Sequence, residues 1–283
     1  MRSVPVPTVT TRSGVEIPQL GFGTYKVVDD PTAVIESAID VGYRHLDTAQ
    51  MYGNEDAVGA AWVNSGLPRE DFFITTKLDN PNHEPDMVRK SFEKSLEDLR
   101  TDYVDLFLIH WPLPMYYDGD FVSTWKVMEE FVEDGRARSI GVSNFEPHHL
   151  EELLTAGEVA PEVNQVESHP YMQNDAVHQF DAEHGILTEA WSPLARGKVL
   201  SDPVLVDIGE AHGKTPSQVA VRWALQRGDI VFPKASTRRR QQENLDVFDF
   251  ELSGEEMERI ASLDKGEAGR TGKHPDVMDR LHT

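Results

Sequence analysis

Cysteine is absent from all 283 residues. This removes disulfides, thiolate metal sites and cysteine nucleophiles in one step. Positive charge is scarce: 17 Arg and 10 Lys stand against 49 Asp and Glu, a formal charge of −22. Nucleic-acid phosphates need a basic footprint, so no nucleic-acid partner is expected. Long apolar runs are missing too. None approaches the roughly 18 uninterrupted apolar residues of a membrane helix, and no membrane partner is expected. The opening MRSVPVPTVTTRSG has neither an apolar h-region nor a small-residue cleavage site, so no secretory signal is read and a cytoplasmic location is expected. No GxGxxG fingerprint follows any apolar run, and a Rossmann site is not implied.

The acidic residues are spread along the chain rather than gathered in a tail. A solvated acidic shell of this kind fits a halophilic host, because molar salt screens self-repulsion within a few ångströms. An ordinary acidic enzyme is the alternative. The 39% hydrophobic content is enough for a globular core.

Short β-branched and aromatic runs recur at 17–23, 43–48, 72–77, 103–110, 138–143, 162–167, 186–191 and 230–234. Amphipathic helical patterns lie between them, such as 31–41, 86–99, 121–133, 147–154 and 216–227, with starts at Asp30-Pro31 and Thr215-Pro216-Ser217-Gln218. Strand then helix, repeated eight times, is the arithmetic of an α/β fold of the (β/α)8 TIM-barrel type, which takes about 250 residues as one domain. A hairpin turning at Ser13-Gly14 precedes it, and a terminal helix starting at the capping box Ser253…Glu256 follows, with a tail. No linker, repeat or low-complexity segment interrupts 1–283, which reads as a single domain.

In a barrel, chemistry collects where strands end at the C-terminal face. Asp47 closes the second run, Lys77 the third and His110 the fourth, while Tyr52 follows Asp47 in HLDTAQMYGNE. Taken singly, Asp47 reads as a helix cap or half of a structural ion pair with Lys77, Tyr52 as a ring under a turn, and His110 as a core histidine. Together they make a site that gives a proton to an oxygen or takes one from it. A phenol, with a pKa of about 10, is a poor acid at neutral pH unless a cation favours the phenolate, and Lys77 is placed to be that cation. Asp47 would hold Lys77 charged, and His110 would orient the incoming oxygen.

The stretches LGFGTY, GYRHLDTAQMYGNE, TKL, DLFLIHWP, IGVSNF, NQVESHP, WSPLARG and FPKASTRRRQQENLDVFDFEL, in this order, resemble the aldo-keto reductase family, from about Ile17 to Leu252. The resemblance is strongest to prokaryotic members of the 2,5-diketo-D-gluconate reductase type, where a tryptophan precedes SPL. It implies an NADP(H)-dependent oxidoreductase that reduces aldehydes and ketones, with Asp47, Tyr52, Lys77 and His110 as the catalytic tetrad and Tyr52 as the general acid. It also implies that Ser143, Asn144 and Gln165 hold the nicotinamide carboxamide and that Trp191 stacks on the ring. Leu194, Arg196 and Gly197, after Ser192, fall in the loop that crosses the pyrophosphate. Lys234 and Arg240 match the pair at the 2′-phosphate, and Glu243 and Asn244 match adenine contacts. Gly23 and Thr24, in LGFGTY, and Ser236 and Thr237 complete the expected cofactor set.

The family's serine after the lysine is replaced by Ala235. Strictness for NADP(H) is therefore in question, with NAD(H) as a weaker alternative. Phe22, Tyr25, Trp111 and Met115 are expected as apolar pocket walls, and the loops Leu113–Phe121 and Tyr25–Val28, with the tail after Glu267, as seats of specificity. A small carbonyl or alcohol substrate, no resident metal and a monomeric state are expected. Two rivals remain. One is a metal-dependent barrel hydrolase or isomerase built on His45, Asp47, His110, Glu167 and His169. The other is a non-catalytic cofactor-binding relative.

Overall fold

A computed structural model describes residues 5–281. Its first element is the hairpin of β1 (Thr8–Thr10) and β2 (Glu16–Pro18), in which Val9 faces Ile17. Gly14, at φ 90°, supplies the left-handed residue of its turn. Eight parallel strands follow: β3 (Phe22–Gly23), β4 (His45–Asp47), β5 (Phe73–Leu78), β6 (Leu106–Ile109), β7 (Ile140–Ser143), β8 (Val163–Glu167), β9 (Leu187–Trp191) and β10 (Ile230–Val231). They pair in sequence order. Leu20 bridges Val231 in parallel, and Val231 exchanges 2.9 Å backbone hydrogen bonds with Gly21 and Gln19. The sheet therefore closes on itself as a (β/α)8 barrel.

The run at 17–23 is not one strand. Ile17 and Pro18 belong to the hairpin, and only Phe22 and Gly23 join the barrel ladder beyond the Leu20 bridge. Proline has no N–H to give a ladder, and Gly21 sits where a Cβ would lie 2.6 Å from the Phe232 ring.

The helices are α1 (Pro31–Val41), α2 (Glu55–Asn64), α3 (Pro85–Leu99), α4 (Val122–Glu133), α5 (Pro147–Ala156), α6 (Asp175–Glu183), α7 (Pro203–His212), α8 (Pro216–Arg227), α9 (Arg238–Leu245) and α10 (Gly254–Ala261). One follows each barrel strand except β9, which is followed by α7 and α8, and β10, which is followed by α9 and the terminal α10. Their starts are written locally. Asp30 accepts from the Ala33 N–H, and Thr215 with Gln218 and Ser253 with Glu256 form reciprocal capping boxes. No helix among the described residues is long and apolar enough to cross a membrane.

Strand alternation divides the apolar residues into two layers. Phe22, Leu46, Ile74, Phe107 and Val142 pack outward against the helices. Phe73, Leu106, Leu108, Val163, Ile230 and Phe232 fill the barrel interior, with Ile17 of the hairpin plugging its base. The same parity decides the polar residues. Asp47 stands one residue past Leu46, Lys77 three past Ile74 and His110 three past Phe107, all inward at the C-terminal mouth. Phe22 has the outward parity. It is fully buried and packs edge-on to Tyr43 at 5.5 Å, so it belongs to the helix layer and is not a pocket wall.

Candidate active site

Lys77 is completely buried at the end of β5, a position tolerable only because its charge is fully partnered. Its ammonium donates to Asp47 Oδ1 at 2.8 Å, to Asp47 Oδ2 at 2.7 Å and to the Thr48 carbonyl at 2.8 Å. Burial is the largest single influence and works against its charge, but Asp47, Tyr52 and Glu189 together outweigh it and the pKa rises above the ordinary lysine value. Lys77 is thus a permanent cation in a dry place.

Tyr52 lies in the short turn Gln50–Tyr52 after β4. The Lys77 ammonium is 5.1 Å from its ring centroid, the His110 ring is edge-on at 5.7 Å, and Tyr25 lies at 5.0 Å. Burial raises the Tyr52 pKa to about 12 and overrides the lowering by Lys77. Lys77 was expected to favour the phenolate. Instead desolvation dominates, and the hydroxyl holds its proton throughout the neutral range as a donor. His110 is pushed well below its ordinary value, first by burial and then by Lys77, and is neutral. Its Nδ1 is buried without a partner among the described residues.

A second group of side chains backs this corner. Gln165 on β8 donates from Nε2 to Asp47 Oδ2 at 2.9 Å and to Glu189 Oε2 at 2.7 Å. Glu189, on β9, is fully buried, and burial followed by the Asp47 charge pushes its pKa up to about 8. Ser143 donates to the Gln165 carbonyl at 2.7 Å. Asn144, at φ 64°, donates from Nδ2 to the His110 carbonyl at 2.9 Å and to Ser143 Oγ at 3.0 Å, and accepts from Trp191 Nε1 at 2.9 Å. Its side chain therefore ties the ends of β6, β7 and β9 together.

Of these residues Asp47, Tyr52, His110, Ser143, Asn144, Gln165 and Trp191 line a cavity of about 570 Å³, with Lys77 and Glu189 buried behind them; it also takes in Gly23, Tyr25 and Trp111, then Ser192, Leu194, Arg196 and Gly197, then Lys234 and Arg240. Lys26, Lys273 and Arg280 line it as well, so six cations face it. Asp47, the one carboxylate lining it among the described residues, is already paired to Lys77. In a chain of charge −22, that concentration of cations fits a polyanionic ligand with several phosphates.

Other expected residues lie elsewhere. Met115 is 63% exposed and outside the cavity, because the chain reverses at Leu113 (φ 51°), and Met51 and Met278 stand there instead. The Thr24 hydroxyl is fully buried and donates to the Asp47 carbonyl at 3.1 Å, which fixes the strand end. Ser236 is exposed, and Thr237 caps α9 by accepting from the Arg240 N–H. Glu243 accepts from Thr215 at 2.9 Å, and Asn244 is buried beside Ser217. The five residues of the metal alternative do not converge. His45 is held by the Pro18 carbonyl and Thr75, each at 3.0 Å, and Glu167 by His169, Thr271 and Gly272.

The C-terminal tail was read only as a seat of specificity, yet it contributes to the wall. Glu167 accepts from the Thr271 N–H at 2.7 Å, the Thr271 hydroxyl at 2.5 Å and the Gly272 N–H at 2.8 Å. Burial opposes its charge, but these bonds and His169 hold its pKa down to about 2. Gly272 packs so closely that a Cβ would lie 2.5 Å from the Trp191 ring. Glu189 was not singled out in the sequence. The available signal was its inward parity, two residues before Trp191.

An eight-stranded parallel barrel with a protonated tyrosine, a buried lysine and a neutral histidine at its mouth defines a barrel enzyme that moves a proton at an oxygen. The chain belongs to the aldo/keto reductase family, whose model matches residues 19–265. It is 46% identical over 274 residues to an aldo-keto reductase of Mycolicibacterium smegmatis, covering 96% of this chain and 98% of that one. It is 45% identical over 273 residues to the glyoxal reductase of Bacillus subtilis, covering 96% and 97%. A mutant of Gox0644 solved in complex with NADPH superposes with a TM-score of 0.92 at 41% identity, covering 97% of this chain and 99% of that one. The protein is an NADP(H)-dependent oxidoreductase.

Proposed function

We propose that this enzyme reduces aldehydes and activated ketones, small dicarbonyls among them, with Tyr52 as the proton donor. The observation that carries the reading is the Asp47–Lys77–Tyr52–His110 corner, in which a phenol kept protonated faces a cavity beside a fixed cation. The bound NADPH supplies the hydride. Tyr52 gives its proton to the carbonyl oxygen, Lys77 stabilises the charge left on the phenolate, and neutral His110 orients the oxygen. Trp111, Tyr25, Met51 and Met278 provide largely apolar walls.

In the cofactor half, Gln165, Ser143 and Asn144 face the carboxamide and Trp191 the ring. Arg196 and Gly197 would hold the pyrophosphate, and Lys234 and Arg240 the 2′-phosphate, all four lining the cavity. Asn144 spends its N–H groups within the protein, so it meets the carboxamide through the remaining lone pair of Oδ1. The B. subtilis relative named a glyoxal reductase supports the dicarbonyl class. The chain acts as one cytoplasmic, monomeric unit, and its acidic shell fits a saline cytoplasm. Steady-state turnover of a panel of neutral aldehydes and 2-oxoaldehydes with NADPH, run in EDTA, tests the reading. Turnover that survives EDTA supports it, and no turnover of any aldehyde overturns it.

A further inference from the structure

Among the buried ionisable groups at the barrel mouth, Glu189 has no part in proton donation. It sits fully buried on β9, and among the described residues it makes one hydrogen bond, from Gln165 Nε2 at 2.7 Å, while its Oε1 has no partner. A carboxyl placed in a dry core for so little return is costly. What it does to Gln165 explains it. A primary amide has two N–H groups and one carbonyl oxygen. Asp47 takes one N–H at 2.9 Å and Glu189 takes the other. Turning the amide over would set Oε1 against the Asp47 carboxylate at 2.9 Å and take both N–H groups away from their acceptors. The only polar atom that Gln165 has left for the cavity it lines is Oε1.

We propose that Glu189 is a positioning residue: with Asp47 it occupies both N–H groups of Gln165, so that Gln165 meets the nicotinamide carboxamide only as an acceptor, through Oε1. This rests on the reading that Gln165 faces the carboxamide. Without Glu189 the second N–H is buried and unpaired, and the amide turns to recover a partner, so that Oε1 no longer points at the ligand. Glu189 also lies within electrostatic reach of Asp47 and Lys77. Its removal therefore acts on the nicotinamide half of the cavity and leaves the distant adenosine half alone.

Calorimetric binding of two ligands to the full chain tests this: NADP+, and 2′-phosphoadenosine diphosphoribose, which lacks only the nicotinamide. Glu189→Met is expected to weaken NADP+ by about 10-fold, the scale of one lost hydrogen bond to a ligand, and to leave the truncated ligand within about two-fold. Glu189→Gln keeps an acceptor and restores most of the NADP+ affinity. Glu189→Thr, too short to reach Gln165, replaces the methionine variant should that not fold. Equal losses for both ligands, no loss for either, or failure of Glu189→Gln to restore binding each overturn the proposal. Gln165→Met separates the two levels. If it weakens NADP+ alone while the Glu189 variants do not, only the positioning role falls; if it leaves both ligands unchanged, the Gln165 reading falls as well.

Discussion

Two corners of one cavity are built on opposite principles. At the Asp47–Lys77 corner both charges are buried, at 4% and 0% exposure, and the hydrogen bonds of the ammonium are made before any ligand arrives. At the Lys234–Arg240 corner both side chains are exposed, and no ion pair holds either of them among the described residues. The Lys234 ammonium reaches only the Lys26 carbonyl, at 2.5 Å. The first corner can stabilise charge at the moment of reaction without reorganising, which is where electrostatic catalysis has its leverage. The second can only be ordered by the phosphate it receives. It contributes recognition, and it is open to screening by salt.

The sharpest way to break this contrast is Tyr52→Phe, which keeps the ring packed on Tyr25 and His110 but deletes the proton. Turnover should fall by roughly 10²–10⁴, the contribution of a general acid, while NADPH affinity stays nearly constant. Near-normal turnover of a simple aldehyde would show that the dry corner is merely structural.

Arg240→Ala should have a smaller and selective effect. Loss of charge-assisted bonds to a 2′-phosphate, worth about 1.5–3 kcal/mol, raises the KM for NADPH by about 10-fold or more and leaves NADH kinetics in place. Measuring kcat/KM for both cofactors at one salt concentration checks it. Equal losses would mean that Arg240 supports the fold or the pyrophosphate.

The pH dependence of stability isolates the buried groups. Glu55, raised by burial to about 7, and Asp181 and Glu189, each at about 8, hold protons more tightly folded than unfolded. Each therefore loses stability as pH climbs from the ordinary carboxylate range through 7–8. His45, His83 and His149, lowered by burial to about 4, and His110, lower than its ordinary value too, act in the opposite sense. They add stability as pH rises toward about 6.5 and are neutral in both states above it. The unfolding free energy should accordingly fall between about pH 6.5 and 8, by at most ~1.4 kcal/mol per pH unit for each carboxyl, and the melting temperature with it. Glu189→Gln should flatten the slope. A wild-type melting temperature that rises across this window would contradict the buried-acid assignment.

Salt should have the smallest effect per contact, and of opposite sign in the two places. Near 1 M KCl the screening length is about 3 Å. The acidic surface should then melt higher, while NADPH binding at Lys234 and Arg240 weakens and the buried Asp47–Lys77 pair is unaffected. A flat melting temperature across KCl concentrations would remove the halophilic reading and leave the enzyme intact.

Much of the site could be read in the sequence because a barrel turns strand ends into a list of candidates. Asp47, Lys77 and His110 each end an apolar run, and inward parity does the rest. Phe22 shows where the reading stopped. It shares a stretch with Gly23, but the pleat sends one to the helix layer and the other to the cavity, and a two-residue strand carries too little periodicity to say which. Met115 failed for a similar reason, since Leu113, where the chain turns, packs with the neighbouring Trp111 and with Met278, far away in the sequence.

What the sequence determined by itself was the class of fold, the caps that start its helices, and the kinds of chemistry present: a phenol, an ammonium, an imidazole and two basic residues for a phosphate. These depend on local periodicity, hydrogen bonding within a few residues and composition. The tertiary structure alone decided which force wins where groups meet. Burial outweighs the Lys77 charge at Tyr52, two acids 142 residues apart on β4 and β9 clamp one amide, and the tail at Thr271 and Gly272 is held by Glu167 with Gly272 against Trp191. Desolvation and long-range contact are properties of what surrounds a group in space, and no window of sequence contains them.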